Sequence, residues 1–417
     1  MVELIWDNKQ EMLDEINSDM FYQTDKQLIP CIEESKNFDN TENLYIEGDN
    51  LDALKLLRKD YESKIKMIYI DPPYNTEKKF IYNDTFRNKK KKECRHSGWL
   101  NMIYPRLKLA RDLLTDDGVI FISIDDDEQA SLKKICDEVF GVSNFIDTLI
   151  WKKLYGGKND SKWFSHYHDY ILVYAKIKDN WYPNLLPREQ KQNDRYKNPD
   201  NDPRGFWTSA DFSQFRPTPN CVYEIITPNG TKYTPNDGKR WITTFESYKK
   251  LREDGRLWFG ESGGNMPRLK RYLSEVKDGI NQSTFLDFTE VGHSDEANKE
   301  LKDLFGGKCF DYPKPVRLLY RLLYLGMDKD SIVLDFFSGS ATTAHAVMQF
   351  NAEDGGNRKF IMVQLPEPTD ENSEAFKAGY NNICEIGKER IRRASKKIHE
   401  DKPDAVFDDG FKVFKLI

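Results

Sequence analysis

Two short motifs hold the residue types that could do chemistry. The first is Asp71-Pro72-Pro73-Tyr74, which directly follows the apolar segment KIKMIYI. A pair of prolines ends a strand ladder because neither residue has an N–H group. The Asp71 carboxylate and the Tyr74 ring are then displayed at the carboxyl end of the strand, where ligands of open α/β sheets bind. A carboxylate and nearby carbonyls can accept hydrogen bonds from an amine, and a ring can stack on a planar group.

The second motif spans residues 335–343, Asp-Phe-Phe-Ser-Gly-Ser-Ala-Thr-Thr, between the apolar run SIVL and a helical pattern. A strand, a glycine turn and a helix start place backbone N–H groups against a polar or negative ligand. The dinucleotide fingerprint needs three spaced glycines, and only Gly339 is present. The phosphate loop needs a lysine where Thr342 and Thr343 stand.

The elements that must position these motifs alternate between strand and helix. The strand runs are nearly continuous in apolar residues, which is typical of strands covered on both faces of a parallel sheet. The pattern predicts an α/β fold, with a doubly wound, mostly parallel, seven-stranded sheet and an inserted domain. The predicted strands are 43–47, 64–70, 118–124, 144–151, 169–176, 331–337 and 359–365, and the predicted helices are 50–60, 98–115, 126–140, 315–325, 341–350 and 382–399.

Asp71 and Asp335 both lie at the ends of predicted strands of one sheet, although they are 335 − 71 = 264 residues apart. If the two strands are neighbours where the strand order reverses, the two loops face one crevice. One loop would then hold a cofactor and the other would hold the reacting group.

Composition excludes several classes of protein. The chain has 417 residues and a formal net charge of −6, and its longest apolar runs are too short for a membrane-spanning helix. Its six cysteines are spread singly without CxxC, and there is no HExxH, so we expect no metal site and no disulfide framework. This cysteine usage favours a reducing, cytoplasmic location.

The two motifs and their surroundings resemble the amino-methylating DNA methyltransferases in which DPPY precedes an FxGxG-type motif. The resemblance is greatest to the adenine-N6 enzymes of restriction-modification systems, including Type III modification subunits. It implies a Rossmann-like fold and S-adenosylmethionine as methyl donor. The segments that carry it are LYIEGDNLDALKLL, IKMIYIDPPYNT, IFISIDDDE, HDYILVYAK, FDYPKPVRLLYRLL, IVLDFFSGSATTAHAV and NRKFIMVQLPE.

The resemblance also implies a domain organisation. A middle region rich in Pro, Gly, Asn, Asp and Trp would be a target-recognition domain that divides the methyltransferase domain. The predicted parts are an N-terminal arm (1–40), the DPPY half (41–176), the target-recognition domain (177–310), the cofactor half (311–400) and a C-terminal tail (401–417).

Cofactor residues follow from the same resemblance. The family usually has Gly where this chain has Ala341, which would cost free energy if φ is positive there. An acidic residue often holds the ribose hydroxyls, but the aligned residue is Gln364, with Glu367 as the alternative. The implied cofactor-binding residues are Asp49, Asn50, Asp71, Lys314, Asp335, Phe336, Phe337, Gly339, Thr342, Gln364 and Glu367.

The expected reaction is methylation of adenine N6 in duplex DNA, with catalysis by the motif Asp71, Pro72, Pro73 and Tyr74. The target base must leave the stack to react. Methylation of cytosine N4 is the nearest alternative, and a non-catalytic recognition subunit of the same fold is a second. The resemblance is compatible with a homodimer and with a restriction subunit as partner, and we expect no association with a membrane. Predicted DNA contacts are Lys89, Lys90, Lys91, Lys92, Arg268, Lys270 and Arg271.

Overall fold

The computed structural model describes residues 3–76, 86, 94–156, 162–216 and 219–417. The chain forms two compact units. One unit contains the chain up to Asn184 together with Ser283–Ile417, and the other is Leu185–Gln282.

Strands and helices are numbered in chain order. The strands are β1 Leu28–Pro30, β2 Leu44–Glu47, β3 Ile65–Ile70, β4 Leu114–Ile124, β5 Phe145–Lys152, β6 His168–Ala175, β7 Trp207–Asp211, β8 Ser213–Gln214, β9 Ile225–Ile226, β10 Lys232–Tyr233, β11 Arg240–Trp241, β12 Leu257–Trp258, β13 Arg268–Tyr272, β14 Phe285–Leu286, β15 Ile332–Asp335, β16 Lys359–Gln364 and β17 Lys412–Leu416. The α-helices are α1 Lys9–Ile16, α2 Asn50–Tyr61, α3 Arg95–Leu113, α4 Gln129–Phe140, α5 Gln190–Asn193, α6 Phe245–Glu253, α7 Phe288–Val291, α8 Ser294–Phe305, α9 Val316–Gly326, α10 Thr342–Asp354, α11 Glu374–Lys377 and α12 Ile383–Asp401.

The larger unit is built on one sheet with the strand order β1-β17-β2-β16-β15-β3-β4-β6-β5-β14. The six strands from β17 to β4 are parallel, and β6 is antiparallel to both of its neighbours. All seven strands predicted from the sequence lie in this sheet. It has ten strands rather than seven, because the edge strands β1 and β14 and the inner strand β17 have only two to five residues and too little pattern to stand out.

Helices cover both faces of the sheet, as the continuous apolar strands predicted. In β3, Met67 and Tyr69 point into the core beneath α9, α10 and α12, whereas Ile68 and Ile70 point into the core beneath α2, α3 and α4. This alternation follows from the period of two in a strand. The fold is therefore the predicted α/β sandwich, and its parallel strands present their carboxyl ends at one edge.

The predicted helices are all present within a few residues of their expected ends. The Asp49 side chain caps α2 by accepting a hydrogen bond from the Leu51 N–H at 2.8 Å, and Pro315 precedes the first turn of α9. Residues 401–417, expected as a tail, contain β17, which pairs with β2 inside the sheet.

The strands of the smaller unit pair in antiparallel fashion. It contains a three-stranded sheet of order β12-β13-β7 and two strand pairs, β8 with β11 and β9 with β10. Its core is aromatic, with Phe212, Trp241, Tyr248 and Phe259 buried together.

The cysteines, the potential metal ligands and the apolar helices can be examined in the described residues. All six cysteines lie among them and are free. Within the same ranges no group of three or more potential metal ligands occurs, and none of the helices has the length and apolar character needed to cross a bilayer.

Candidate active site

The two motifs converge on one edge of the sheet. Strands β3 and β15 are parallel neighbours, with Met67 opposite Val333 and Ile68 opposite Leu334. Asp71 and the end of β15 at Asp335 therefore lie side by side, and both line a cavity of about 230 Å³. The convergence follows from strand order alone, because neighbouring parallel strands end at the same edge.

The cavity collects residues from distant parts of the sequence. All eleven residues implied as cofactor ligands line it, together with Pro73 of the Asp71–Tyr74 motif. Three further lining residues, Ser338, Ser340 and Thr343, belong to the 335–343 motif. The sequence had not singled out the others, which are Tyr69, Phe86, Met102, Arg106, Phe310, Tyr312, Pro313, Leu319, Leu365 and Ile383.

The Asp71 carboxylate is partly exposed and engages two side chains. The Tyr74 hydroxyl donates a hydrogen bond to its Oδ1 at 2.9 Å, and the Lys314 ammonium donates to its Oδ2. The Lys314 ammonium also lies 5.3 Å from the centre of the Tyr74 ring. The expected cofactor lysine thus contacts the expected catalytic carboxylate, a contact that sequence spacing could not reveal.

Trp99 supports the backbone of the Asp71–Tyr74 motif. Its ring is fully buried, and its Nε1–H donates to the Pro73 carbonyl at 2.7 Å. Asn75, also buried, has a left-handed φ of +62° and donates to Glu128 Oε1 at 2.7 Å. These contacts define the path of the chain on both sides of Tyr74.

A buried carboxylate, that of Asp169, lies close to Asp71 and Lys314. Asp169, at the start of β6, is 3% exposed, and the Lys153 ammonium lies 2.5 Å from its Oδ1. Burial raises the pKa of Asp169, while the charges of Lys153 and Lys314 oppose that increase. Lys314 therefore lies in the fields of two carboxylates, Asp71 and Asp169.

Asp335 is far more buried than Asp71. Its carboxylate accepts a hydrogen bond from the Thr343 hydroxyl at 2.5 Å and another from the Phe337 N–H at 3.2 Å. Burial raises the pKa of Asp335 to about 7, and the nearby charge of Asp71 adds to the increase. This side chain ties the end of β15 to the start of α10.

The turn after Asp335 contains two left-handed residues. Gly339 has a φ of +50°, and Ala341 has a φ of +61°. The left-handed conformation costs an alanine roughly 1–2 kcal/mol. Ala341 therefore carries the free-energy cost that we expected for an alanine with a positive φ at this position. The Gly339 N–H donates to Gln364 Oε1 at 2.7 Å.

Arg390 is a structural residue that the sequence did not reveal as part of this turn. It is 1% exposed, and its guanidinium donates to the hydroxyls of Ser340 and Thr342 at 2.8 and 2.6 Å. Burial lowers the pKa of Arg390 to about 10, so the group remains charged at neutral pH. A basic residue in a helical pattern is usually placed on the surface, and only the packing of α12 shows otherwise.

The turn before α2 is joined to the second motif. The Asn50 side-chain amide donates to the Phe336 carbonyl at 2.6 Å. Arg106 of α3 lies 3.1 Å from the Asp49 carboxylate and also donates to Asn50. Arg106 was missed because no local pattern links it to residues 49 and 50.

The two ribose candidates differ in their surroundings. Gln364 uses its side-chain oxygen to accept a hydrogen bond from the Gly339 N–H, and Glu367 also lines the cavity. A carboxylate at this wall is suited to accept hydrogen bonds from two hydroxyl groups.

Of the residues predicted to contact DNA, some are exposed, one is buried and four lie outside the described residues. Lys89–Lys92 lie outside the described residues. Arg268 and Arg271 are exposed in the smaller unit, and Arg268 pairs with Asp211 at 2.6 Å. Lys270 is 5% exposed, and its ammonium is shared by Asp200 and Asp202, so it holds the smaller unit together and is not carried forward as a phosphate contact.

The chemistry of the cavity fits S-adenosylmethionine. Lys314 offers a cation for a carboxylate, and Glu367 offers acceptors for hydroxyl groups. Apolar walls suited to a purine ring come from Phe86, Met102, Phe336, Phe337 and Leu365.

Comparison with known proteins places the chain among DNA methylases. A family model, N6_N4_Mtase, described as a DNA methylase, matches residues 65–396. The Mod subunit of the Type III restriction-modification enzyme StyLTI from Salmonella typhimurium LT2 is 40% identical over 410 residues, covering 90% of this chain and 60% of that protein. The EcoP15I Mod subunit from Escherichia coli is 34% identical over 440 residues, covering 91% of this chain and 66% of that protein.

A shorter relative is covered almost completely. The Type II methyltransferase M.KpnI from Klebsiella pneumoniae is 31% identical over 391 residues, which cover 86% of this chain and 88% of that protein. The chain spans about 60–66% of the length of the two Mod subunits. Since the family model matches most of the sequence and both motifs lie within the match, the chain belongs to the N6_N4_Mtase family of DNA methylases.

Proposed function

We propose that this protein is a site-specific DNA methyltransferase of a restriction-modification system, which methylates N6 of an adenine in duplex DNA. The observation that carries the proposal is the shared cavity of Asp71 and the 335–343 turn. One cavity that offers both an acceptor for an amine and a turn suited to a polar cofactor is the arrangement that methyl transfer needs.

S-adenosylmethionine is the proposed cofactor, and when bound it supplies an electrophilic methyl group on a sulfonium. Lys314 would hold its methionine carboxylate and Glu367 its ribose. The turn at Gly339, fixed by Gln364, and the buried Asp335 would shape the pocket around the methionine part. Asp49 and Asn50 would lie beside the adenine.

Asp71 is the proposed acceptor for the reacting amine. An exocyclic amine is a poor nucleophile because its lone pair is delocalised into the ring. Hydrogen bonds from the amine to Asp71 and to the Pro72 carbonyl favour a tetrahedral nitrogen, and they strengthen as positive charge develops. An ionised carboxylate has about four acceptor sites, so Asp71 can receive the amine beside Tyr74 and Lys314.

Tyr74 is the proposed stacking partner for the everted base. Its hydroxyl is oriented by Asp71, which leaves the face of the ring to define where a planar base lies. Base–aromatic stacking contributes about 1–3 kcal/mol, and correct placement of the amine supplies much of the rate.

The smaller unit is the proposed target-recognition domain, with Leu185–Gln282 as its bounds in place of the wider 177–310. Arg268 and Arg271 on its surface are the proposed phosphate contacts, since exposed arginines suit that role. The Mod names of two relatives support a restriction subunit as a partner, and a homodimer is proposed on the resemblance alone.

The decisive experiment identifies the modified base. The purified protein is incubated with methyl-labelled S-adenosylmethionine and bacterial genomic DNA, and digested nucleosides are separated by mass spectrometry. We expect label only in N6-methyladenine, and none with an Asp71→Ala variant of unchanged circular dichroism. Label in N4-methylcytosine would overturn the adenine assignment, and no label in either base would overturn the function. Sequencing of the same DNA gives the recognition site.

A further inference from the structure

Two adjacent aromatic side chains project into solvent between β5 and β6. Trp163 is 81% exposed and Phe164 is 88% exposed. A tryptophan and a phenylalanine side by side at this exposure form an apolar surface of the kind that marks an interaction site. The proposed chemistry inside the cavity does not use either residue.

These side chains leave the sheet at the same edge as Asp71. Lys152 at the end of β5 pairs with His168 at the start of β6, and β6 runs antiparallel to β4. Since β4 is parallel to β3, the β5–β6 connection emerges where β3 ends. Only β4 separates β6 from β3 in the sheet, a lateral distance of about 10 Å at the usual strand spacing.

The described ends of this connection are firmly anchored. The Lys153 N–H donates to the Tyr167 carbonyl at 2.8 Å, and the Lys153 ammonium pairs with Asp169. At the other end, Asp126 accepts a hydrogen bond from Tyr170 at 2.8 Å and lies 2.9 Å from His166. Asp126 itself follows β4, so these contacts tie the base of the connection to the catalytic edge.

We propose that Trp163 and Phe164 form an aromatic wedge that enters the duplex beside the target nucleotide and stacks in the space left by the everted base. The inference rests on the proposed function, because it names how that site obtains its substrate base. Eversion breaks stacking on both sides of the target, and an apolar side chain inserted between base steps replaces part of it.

The charges around the wedge favour DNA as the occupant over an apolar protein surface. The Lys162 ammonium lies 5.1 Å from the centre of the Trp163 ring, and Lys152 is the last residue of β5. A cation beside an exposed aromatic ring matches a surface of bases flanked by phosphates.

The test compares two duplexes that carry the recognition site. One has thymine opposite the target adenine, and the other has an abasic site there, which removes the pairing that eversion must break. With Trp163→Ala/Phe164→Ala, we expect kcat/KM on the normal duplex to fall roughly tenfold to a hundredfold. On the abasic duplex the loss should shrink to less than about threefold, because eversion is already favoured.

The matched control is Tyr182→Ala. Tyr182 is also strongly exposed, at 77%, but it follows β6, whose carboxyl end lies at the opposite edge of the sheet. This variant should behave as the wild type on both duplexes. Trp163→Phe, which keeps an aromatic ring, should recover most of the activity. Fluorescence of 2-aminopurine at the target position should rise on binding of the wild type and rise less with the double variant.

Three outcomes would overturn the wedge. These are an unchanged kcat/KM for the double variant, an equal loss on both duplexes, and a dimer-to-monomer change with the same substitutions in sedimentation analysis, which would assign the rings to a protein interface. A wild-type protein that methylates neither duplex would instead overturn the proposed function. The two failures are therefore distinguishable.

Discussion

Asp71 and Asp335 lie at the carboxyl ends of neighbouring strands of one sheet, yet their environments differ sharply. The Asp71 side chain is 26% exposed and meets an ammonium and a phenol. Asp335 is 2% exposed and meets a hydroxyl and a backbone N–H. Burial raises the pKa of Asp335 to about 7.

The difference shows how one residue type acquires two roles. Asp71 faces the cavity with acceptor capacity to spare, which suits a group that must receive a new donor. Asp335 has its oxygens engaged by its own loop, which suits a group that fixes backbone geometry. Both residues lie at the carboxyl end of a buried strand, so the distinction comes from the neighbours that each carboxylate meets.

The largest expected effect comes from Asp71→Asn. Turnover should fall at least about a thousandfold, because the neutral amide is a weaker acceptor for an amine that gains positive charge. Binding of S-adenosylhomocysteine by calorimetry should change by less than about fivefold, since Lys314 and the 335–343 turn remain. Substantial turnover by a folded Asp71→Asn protein would remove the distinction between the two aspartates.

Asp335→Asn should alter stability in a pH-dependent way. Because the pKa of Asp335 is raised from 3.8 to about 7, folding favours its protonated form. That contribution is fully present below about pH 4 and is lost as the pH rises through about 7. Asparagine cannot ionise, so the variant should gain about 2–4 kcal/mol on the wild type between pH 4 and pH 9.

Urea denaturation at pH 4, 7 and 9 measures this gain. If the free energies of unfolding of Asp335→Asn and wild type run parallel across the three pH values, the buried carboxylate is not the titrating group that the structure indicates.

Trp99→Phe tests the support of the catalytic motif. The substitution keeps a buried ring but removes the donor to the Pro73 carbonyl, at a cost of about 1 kcal/mol in stability. We expect kcat to fall about tenfold, since the position of Asp71 depends on this segment. Trp241→Phe is the control, because its indole donates to the Tyr223 carbonyl in the other unit. Equal effects of both variants on kcat would contradict a positioning role for Trp99.

The smallest effects are expected in the left-handed turn. Ala341→Gly relieves an unfavourable φ but loses a buried methyl group, so stability should stay within about 1 kcal/mol of the wild type. Gly339→Ala should cost about 1–2 kcal/mol, because its φ is +50° and a Cβ would lie 3.2 Å from Phe310. Thermal unfolding of the two variants gives the order, and a reversed order would contradict the turn geometry.

Much of the site was predictable because its signals are local. An apolar run followed by Asp-Pro-Pro, and another followed by a glycine turn, each identify a strand end without knowledge of the partner strand. The helices between them follow from the periodicity of their apolar residues. The same signals fail for β17, whose five residues are a strand only because they pair with β2.

The sequence by itself determined the alternation of strands and helices, the two motifs at strand ends and the family resemblance. All of these reside in short segments whose patterns reflect local geometry and burial. Only the tertiary structure decided that Lys314 contacts Asp71, that Arg390 is buried against Ser340 and Thr342, and that Ala341 is left-handed. Those features depend on contacts between residues about 50 to 240 positions apart, or on backbone angles imposed by such contacts. Charge and residue type alone do not specify which distant partner a side chain meets.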